Sequence, residues 1–201
     1  MSNKKLNQSK RKFLTVATSA VGGLFVAGAA VPFLSYWNPS AKAKAAGAPV
    51  EIDLSKIAPG QRVTIQWRGK PVWVVRRTPE ALANLKKMDS VVLDPKSKSS
   101  EQPEYAKNEL RSINEEFLVT VSLCTHLGCI PSYRPEIAPA DLGDEWLGGF
   151  YCPCHGSKFD LAGRVYPGVP APTNLSIPPH AFVNSDKLVV GLNPSDIKEN
   201  A

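Results

Sequence analysis

Four cysteines and three histidines occur in this 201-residue chain. All the cysteines and two of the histidines fall in two short segments, "CTHLGC" at Cys124–Cys129 and "CPCHGS" at Cys152–Ser157. The pairs Cys124/His126 and Cys152/His155 each supply one soft sulfur and one imidazole nitrogen, so both loops together could hold metal. Cys129 and Cys154 are left over, one in each loop. A structural Cys2His2 zinc site is one possible use of these donors. Zinc fingers, however, take their ligands as Cys-x2-4-Cys and His-x3-5-His pairs. A binuclear [2Fe-2S] centre is the other, with two thiolates on one iron and two imidazoles on the second. It accounts for the one-of-each division and is the preferred reading. Cys152 and Cys154 are one residue apart, so they do not form a Cys-x-x-Cys redox motif.

What the spare cysteines do depends on the compartment. The net charge is +6, but Lys4, Lys5, Lys10, Arg11 and Lys12 supply five of these charges before residue 38. The body is nearly neutral, which argues against a nucleic-acid groove. Phe13–Trp37 contains no charged residue. As a helix it would reach about 38 Å, against a hydrocarbon core of ~30 Å. Tyr36 and Trp37 close the run as interfacial aromatics do. The preceding cations put the N-terminus in the cytoplasm and the remainder across the bacterial inner membrane, in the periplasm. "AKAKA" at Ala41–Ala45 would suit a cleaved signal peptide, but the apolar run is longer than a signal core, so a retained anchor is preferred. "SKRKFL" (Ser9–Leu14) resembles a twin-arginine export signal with Lys10 in place of the first arginine. Exported thiols oxidise, so Cys129 and Cys154 are expected to pair. Closing that loop is worth roughly 3–4 kcal/mol in the chain-entropy treatment.

Four segments follow: a cytoplasmic tail 1–12, an anchor 13–37, a flexible hinge 38–50 and a head 51–201. "NPSAKAKAAGAP" (Asn38–Pro49) is a tether whose centre could be helical or extended, a difference of roughly 20 Å. In the head, "RVTIQWRGKPVWVVRRT" (Arg62–Thr78) alternates, breaks at Arg68–Lys70 and resumes, predicting a hairpin. Thr78-Pro79 opens a short helix to Met88. Residues 94–116 read as a polar loop. "EFLVTVSLC" (Glu116–Cys124) is a buried strand that delivers the first cysteine loop, "GGFYCPC" brings in the second, and His180–Leu192 forms a last hairpin. Short strands and 18 prolines predict an all-β antiparallel sandwich or barrel behind one transmembrane helix. Trp67 and Trp73 read as core and His180 as structural. Asp141, Asp144 and Glu145 read as a solvated loop.

The two cysteine loops resemble those of the Rieske iron–sulfur subunit of bacterial cytochrome bc complexes, the ubiquinol–cytochrome c oxidoreductases. "WRGKPVWVVRRT" is similar to a hairpin of that family, and "GVPAPTNL" (Gly168–Leu175) is similar to the proline loop that covers its cluster. The resemblance implies that Cys124 and Cys152 bind the inner iron and His126 and His155 the solvent-facing one. It also implies that Ser157 bonds a bridging sulfide, that Leu127 and Pro170 border the docking surface, and that His155 bonds the quinol. The implied partners are ubiquinol, cytochrome b and a c-type cytochrome, in a membrane complex that is a homodimer. A membrane-tethered Rieske subunit of another oxidoreductase is the alternative. Two departures stand out. Phe159 occupies a position where many relatives have tyrosine, which removes a hydrogen bond to a ligand sulfur and predicts a lower potential. Ser132–Gly148 is an insertion expected to be a surface loop.

Overall fold

A computed structural model describes residues 7–198. The expected tail, with Lys4 and Lys5, therefore lies partly outside the described residues. The chain divides between Ala45 and Ala46 into two compact units. The first holds helix α1 (Gln8–Ser35). It starts earlier than the uncharged run because Asn7 caps it, its side chain accepting the Lys10 N–H, and because lysine and arginine are good helix formers. At 28 residues it is long and apolar enough to cross a membrane. Phe13, Leu24, Phe25 and Phe33 are all exposed on it, and it has no buried residue. From Phe13 onward the helix is apolar all round, which fits a lipid environment. A short helix α2 (Ala41–Ala46) follows, so the centre of the tether is helical here.

Among the described residues the second unit has nine strands: β1 (Val50–Asp53), β2 (Arg62–Trp67), β3 (Lys70–Arg76), β4 (Phe117–Val121), β5 (Ser132–Arg134), β6 (Gly149–Cys152), β7 (Ser157–Asp160), β8 (His180–Phe182) and β9 (Lys187–Val190). They form three antiparallel three-stranded sheets, ordered β1-β9-β8, β2-β3-β4 and β5-β6-β7. The alternation along β3 shows how the layers stack. Val72 and Val74 enter one core with Ile52, Leu188 and Val190 of the first sheet. Trp73 and Val75 enter a second core with Phe150 and Phe159 of the third sheet. Successive side chains point to opposite faces, so β3 lies in a middle layer buried on both sides. That is why "VWVV" reads as an unbroken apolar run.

The β2–β3 hairpin turns at Arg68 (φ 50°) and Gly69 (φ 72°), both left-handed as a tight hairpin turn requires. Helix α3 (Pro79–Lys87) has the Thr78 cap, whose side chain accepts the Ala81 N–H at 3.1 Å. Residues 94–116 form a polar loop as read, but buried arginines hold it. Arg77 donates to the carbonyls of Glu115 and Leu110 and to Ser112 Oγ at 2.8, 2.9 and 2.7 Å. Burial pushes its pKa down to about 10. The Ser132–Gly148 insertion is a surface lobe anchored by a small core that it shares with Met88, Val92 and Tyr166. Trp146 stacks on Tyr166 at 5.8 Å and packs with Met88, Val92 and Leu142. Arg134 clamps the lobe by a two-pronged bond to Asp141, 2.8 Å on each side. Asp144 and Glu145 are exposed.

Candidate metal centre

Two loops carry the donors. The first follows β4, and the second is the turn between β6 and β7, where Cys152 pairs with Ser157 across the ladder. The loops share one local design. Gly128 N–H bonds Cys124 O at 2.8 Å, and Gly156 N–H bonds Cys152 O at 2.9 Å. Both glycines have left-handed backbone, φ 79° and 77°, which a side chain would disfavour. In each loop the first cysteine thus opens a five-residue turn that the glycine closes, with the histidine inside it. β6 can approach β7 this closely only because residue 149 is glycine: a Cβ there would meet Phe159 O at 2.0 Å.

The structure brings the sequence-predicted residues together. Cys124 and Cys152 are free and buried, within the core that holds Trp73, Phe150 and Phe159. Burial raises the Cys152 thiol pKa, and the neighbouring Cys124 raises it further. His126 is half-buried and His155 exposed, and their rings meet edge to face at 4.8 Å. Cys129 and Cys154 are joined in a disulfide across 25 residues of sequence. The sulfurs of Cys129, Cys152 and Cys154 lie within 4.8 Å of one another. Only Cys152 in that trio keeps a thiol, so the trio is not a three-sulfur metal site. Leu127, 71% exposed, and Pro170 project at the surface.

A [2Fe-2S] cluster of the two-cysteine, two-histidine kind takes two thiolates on one iron and two imidazoles on the other, and two buried free thiols with two histidines nearer solvent fit that donor set. Ser157 strengthens the fit. Its buried hydroxyl oxygen accepts the Ala171 N–H at 3.1 Å, which leaves its own proton available for a neighbouring sulfur. Phe159 is fully buried and presents no hydroxyl. Sequence reasoning missed Thr125, whose Oγ1 donates to Thr173 O at 2.7 Å and ties the first loop to the segment Gly168–Leu175. A threonine between a cysteine and a histidine carries no signal of that contact. His180 is far more buried than a functional histidine would need to be. Its Nδ1 faces Pro178 O at 2.9 Å and its ring packs edge-on to Tyr105. Burial lowers its pKa to about 4, consistent with a structural role.

Comparison with known proteins agrees with this geometry. The family model described as "Rieske [2Fe-2S] domain" matches residues 49–179. The one described as "Ubiquitinol-cytochrome C reductase Fe-S subunit TAT signal" matches residues 1–40. The ubiquinol-cytochrome c reductase iron-sulfur subunit of Allochromatium vinosum is 54% identical over 191 residues, covering 95% of this chain and 92% of the relative. That of Blastochloris viridis is 44% identical over 184 residues, covering 91% and 93%. Among solved structures, a chain of "Hyperthermophilic respiratory Complex III" is 28% identical with a TM-score of 0.48, covering 87% of this chain and 98% of that one. The chain belongs to the family of ubiquinol–cytochrome c reductase iron–sulfur subunits, and the cofactor of its head is a Rieske [2Fe-2S] cluster.

Proposed function

We propose that this chain takes an electron and a proton from ubiquinol and passes the electron to a c-type cytochrome, as the redox subunit of a quinol–cytochrome c reductase that works as a translocase. Its partners are cytochrome b and the c-type cytochrome, in a homodimeric complex. The head (51–201) lies in the periplasm. The anchor (13–37) spans the inner membrane, and the tail (1–12) is cytoplasmic.

Cys124 and Cys152 would hold the inner iron, and His126 and His155 the outer. When bound, the cluster supplies a one-electron acceptor in the Rieske range of about −150 to +300 mV. The chain's own groups do the rest. His155, exposed in its loop, would accept a hydrogen bond from the quinol hydroxyl at a ring nitrogen not used as a ligand, and would then hold the proton. Leu127 and Pro170 form an apolar rim that excludes water while the quinol is engaged. Ser157, its oxygen already accepting the Ala171 N–H, would have its hydroxyl proton free for a sulfur of the cluster. The Cys129–Cys154 bond keeps the two loops together. The hinge (38–50) lets the head move between donor and acceptor. Extending the six residues of α2 would lengthen it by roughly 11 Å.

The observation that carries this reading is that the two imidazoles meet edge to face nearer solvent, while the cysteines of the same two loops are free and buried. Because a proton accompanies the electron, the midpoint potential should fall as pH rises from about 6 to about 10. A redox titration of the intact protein over that range checks it, and a flat profile would overturn the coupled transfer.

A further inference from the structure

Arg111 lies at 0% exposure within a polar stretch that reads as surface loop. Its guanidinium makes five hydrogen bonds, none to a carboxylate. Nε donates to Ser97 Oγ at 2.7 Å. Nη1 donates to the carbonyls of Ala162 and Gly163 at 3.3 and 3.2 Å. Nη2 donates to Gln102 Oε1 at 3.3 Å and to Leu175 O at 2.6 Å. The backbone at Arg111 is left-handed, φ 52°, which a non-glycine residue disfavours. A buried cation without a bonded anion and a left-handed backbone both cost free energy, so the fold holds this side chain in place for a positional reason.

The contacts show what is positioned. Ala162 and Gly163 follow β7, the strand that starts at Ser157. Leu175 ends the segment Gly168–Leu175, which lies over Ser157. The approach is close: a Cβ at Gly163 would meet Arg111 Nη1 at 3.1 Å and Leu175 Cβ at 3.3 Å. Ser97 Oγ also accepts from Asn174 Nδ2 at 3.2 Å, and Asn174 Oδ1 accepts the Val165 N–H at 2.8 Å. One guanidinium therefore joins the end of the covering segment to the strand beneath it. Four residues back along that segment, Ala171 N–H holds the Ser157 oxygen.

We propose that Arg111 is a positioning residue for the cluster: it fixes the end of the covering segment so that Ala171 orients Ser157 with its proton toward the cluster sulfur. This deepens the proposed function and rests on its reading of Ser157. A lysine keeps the charge but lacks the planar fork needed to span these acceptors.

The test is a redox titration and EPR spectrum of the full chain carrying Arg111→Lys, Ser157→Ala, or both. Arg111→Lys should lower the midpoint potential in the same direction as Ser157→Ala. Its shift should fall to less than half when Ser157 is already alanine, because neighbours acting through one bond are not additive. An unchanged potential in Arg111→Lys, or an equal shift in both backgrounds, overturns the proposal. If Arg111→Lys fails to load its cluster, Ser97→Ala, which removes a single acceptor, is judged by the same two criteria. If Ser157→Ala leaves the potential unmoved, the reading of Ser157 fails instead. Amide exchange at Ala171 in Arg111→Lys then decides the positioning role: faster exchange supports it, and an unchanged rate overturns it.

Discussion

Replacing Cys129 and Cys154 together by alanine should destabilise the head chiefly through its unfolded state. The bond spans 25 residues of sequence. The loop-entropy relation then gives about 12 cal/mol/K, or about 3.5 kcal/mol at 25 °C. Little should be lost on the folded side. Cys154 is exposed, and the first loop keeps its own ties, with Cys124 N–H on Cys129 O at 2.8 Å and Thr125 on Thr173 at 2.7 Å. For a domain of this size each kcal/mol moves the melting temperature by about 2–4 °C, so the double variant should melt roughly 7–14 °C lower. The assay is a denaturant and thermal melt of the cluster-loaded chain, followed by circular dichroism and by the visible absorbance of the cluster. A loss under about 1 kcal/mol would refute the reasoning. It would mean that something other than this bond already restrains the two loops in the unfolded chain.

Three further outcomes are expected. The pKa of buried His180 is lowered to about 4 by burial, against 6.5 when unfolded. The unfolded chain therefore binds the proton first, and stability falls as pH drops from 6.5 to about 4, by about 3 kcal/mol in total. His180→Asn should flatten that acid slope in pH-dependent melts, and equal slopes would contradict it. Phe159→Tyr should raise the midpoint potential if the added hydroxyl bonds a ligand sulfur. Such a bond is worth ~1.5–3 kcal/mol, and a third of that as redox difference is roughly 20–45 mV. An unchanged or lower potential in a redox titration would count against it. Prolines at Ala43 and Ala45 should slow turnover while leaving the cluster spectra intact, and full turnover would contradict a moving head.

The sequence showed more about the site than about its supports. Cysteine and histidine are scarce, so their clustering in two loops was legible without a fold. Hairpins and the α3 cap were legible because local rules set them: alternation for β2 and β3, Thr-Pro for α3. The uncharged run does not mark the start of α1, because a helix can continue past the lipid boundary into charged residues. Arg77, Arg111 and Arg164 were missed for a different reason. A buried arginine and a surface arginine look alike until the chain closes around one of them. Arg164, bonded to Asp160 at 2.7 Å and to Leu85 O at 2.7 Å, joins β7 to α3 across a long stretch of sequence. Such contacts have no local pattern. The core under the insertion was equally hidden, since Leu142 and Trp146 find their partners Met88, Val92 and Tyr166 far off in sequence.

The central claim is that Cys124, Cys152, His126 and His155 together hold a two-iron cluster. Metal and acid-labile sulfide analysis of the purified full chain, set against alanine replacements at these four positions, tests it most directly. The account predicts two irons and two sulfides per chain, no zinc, and loss of the cluster in each variant. Zinc in the native protein, or a full complement of iron in any of the four variants, would contradict it.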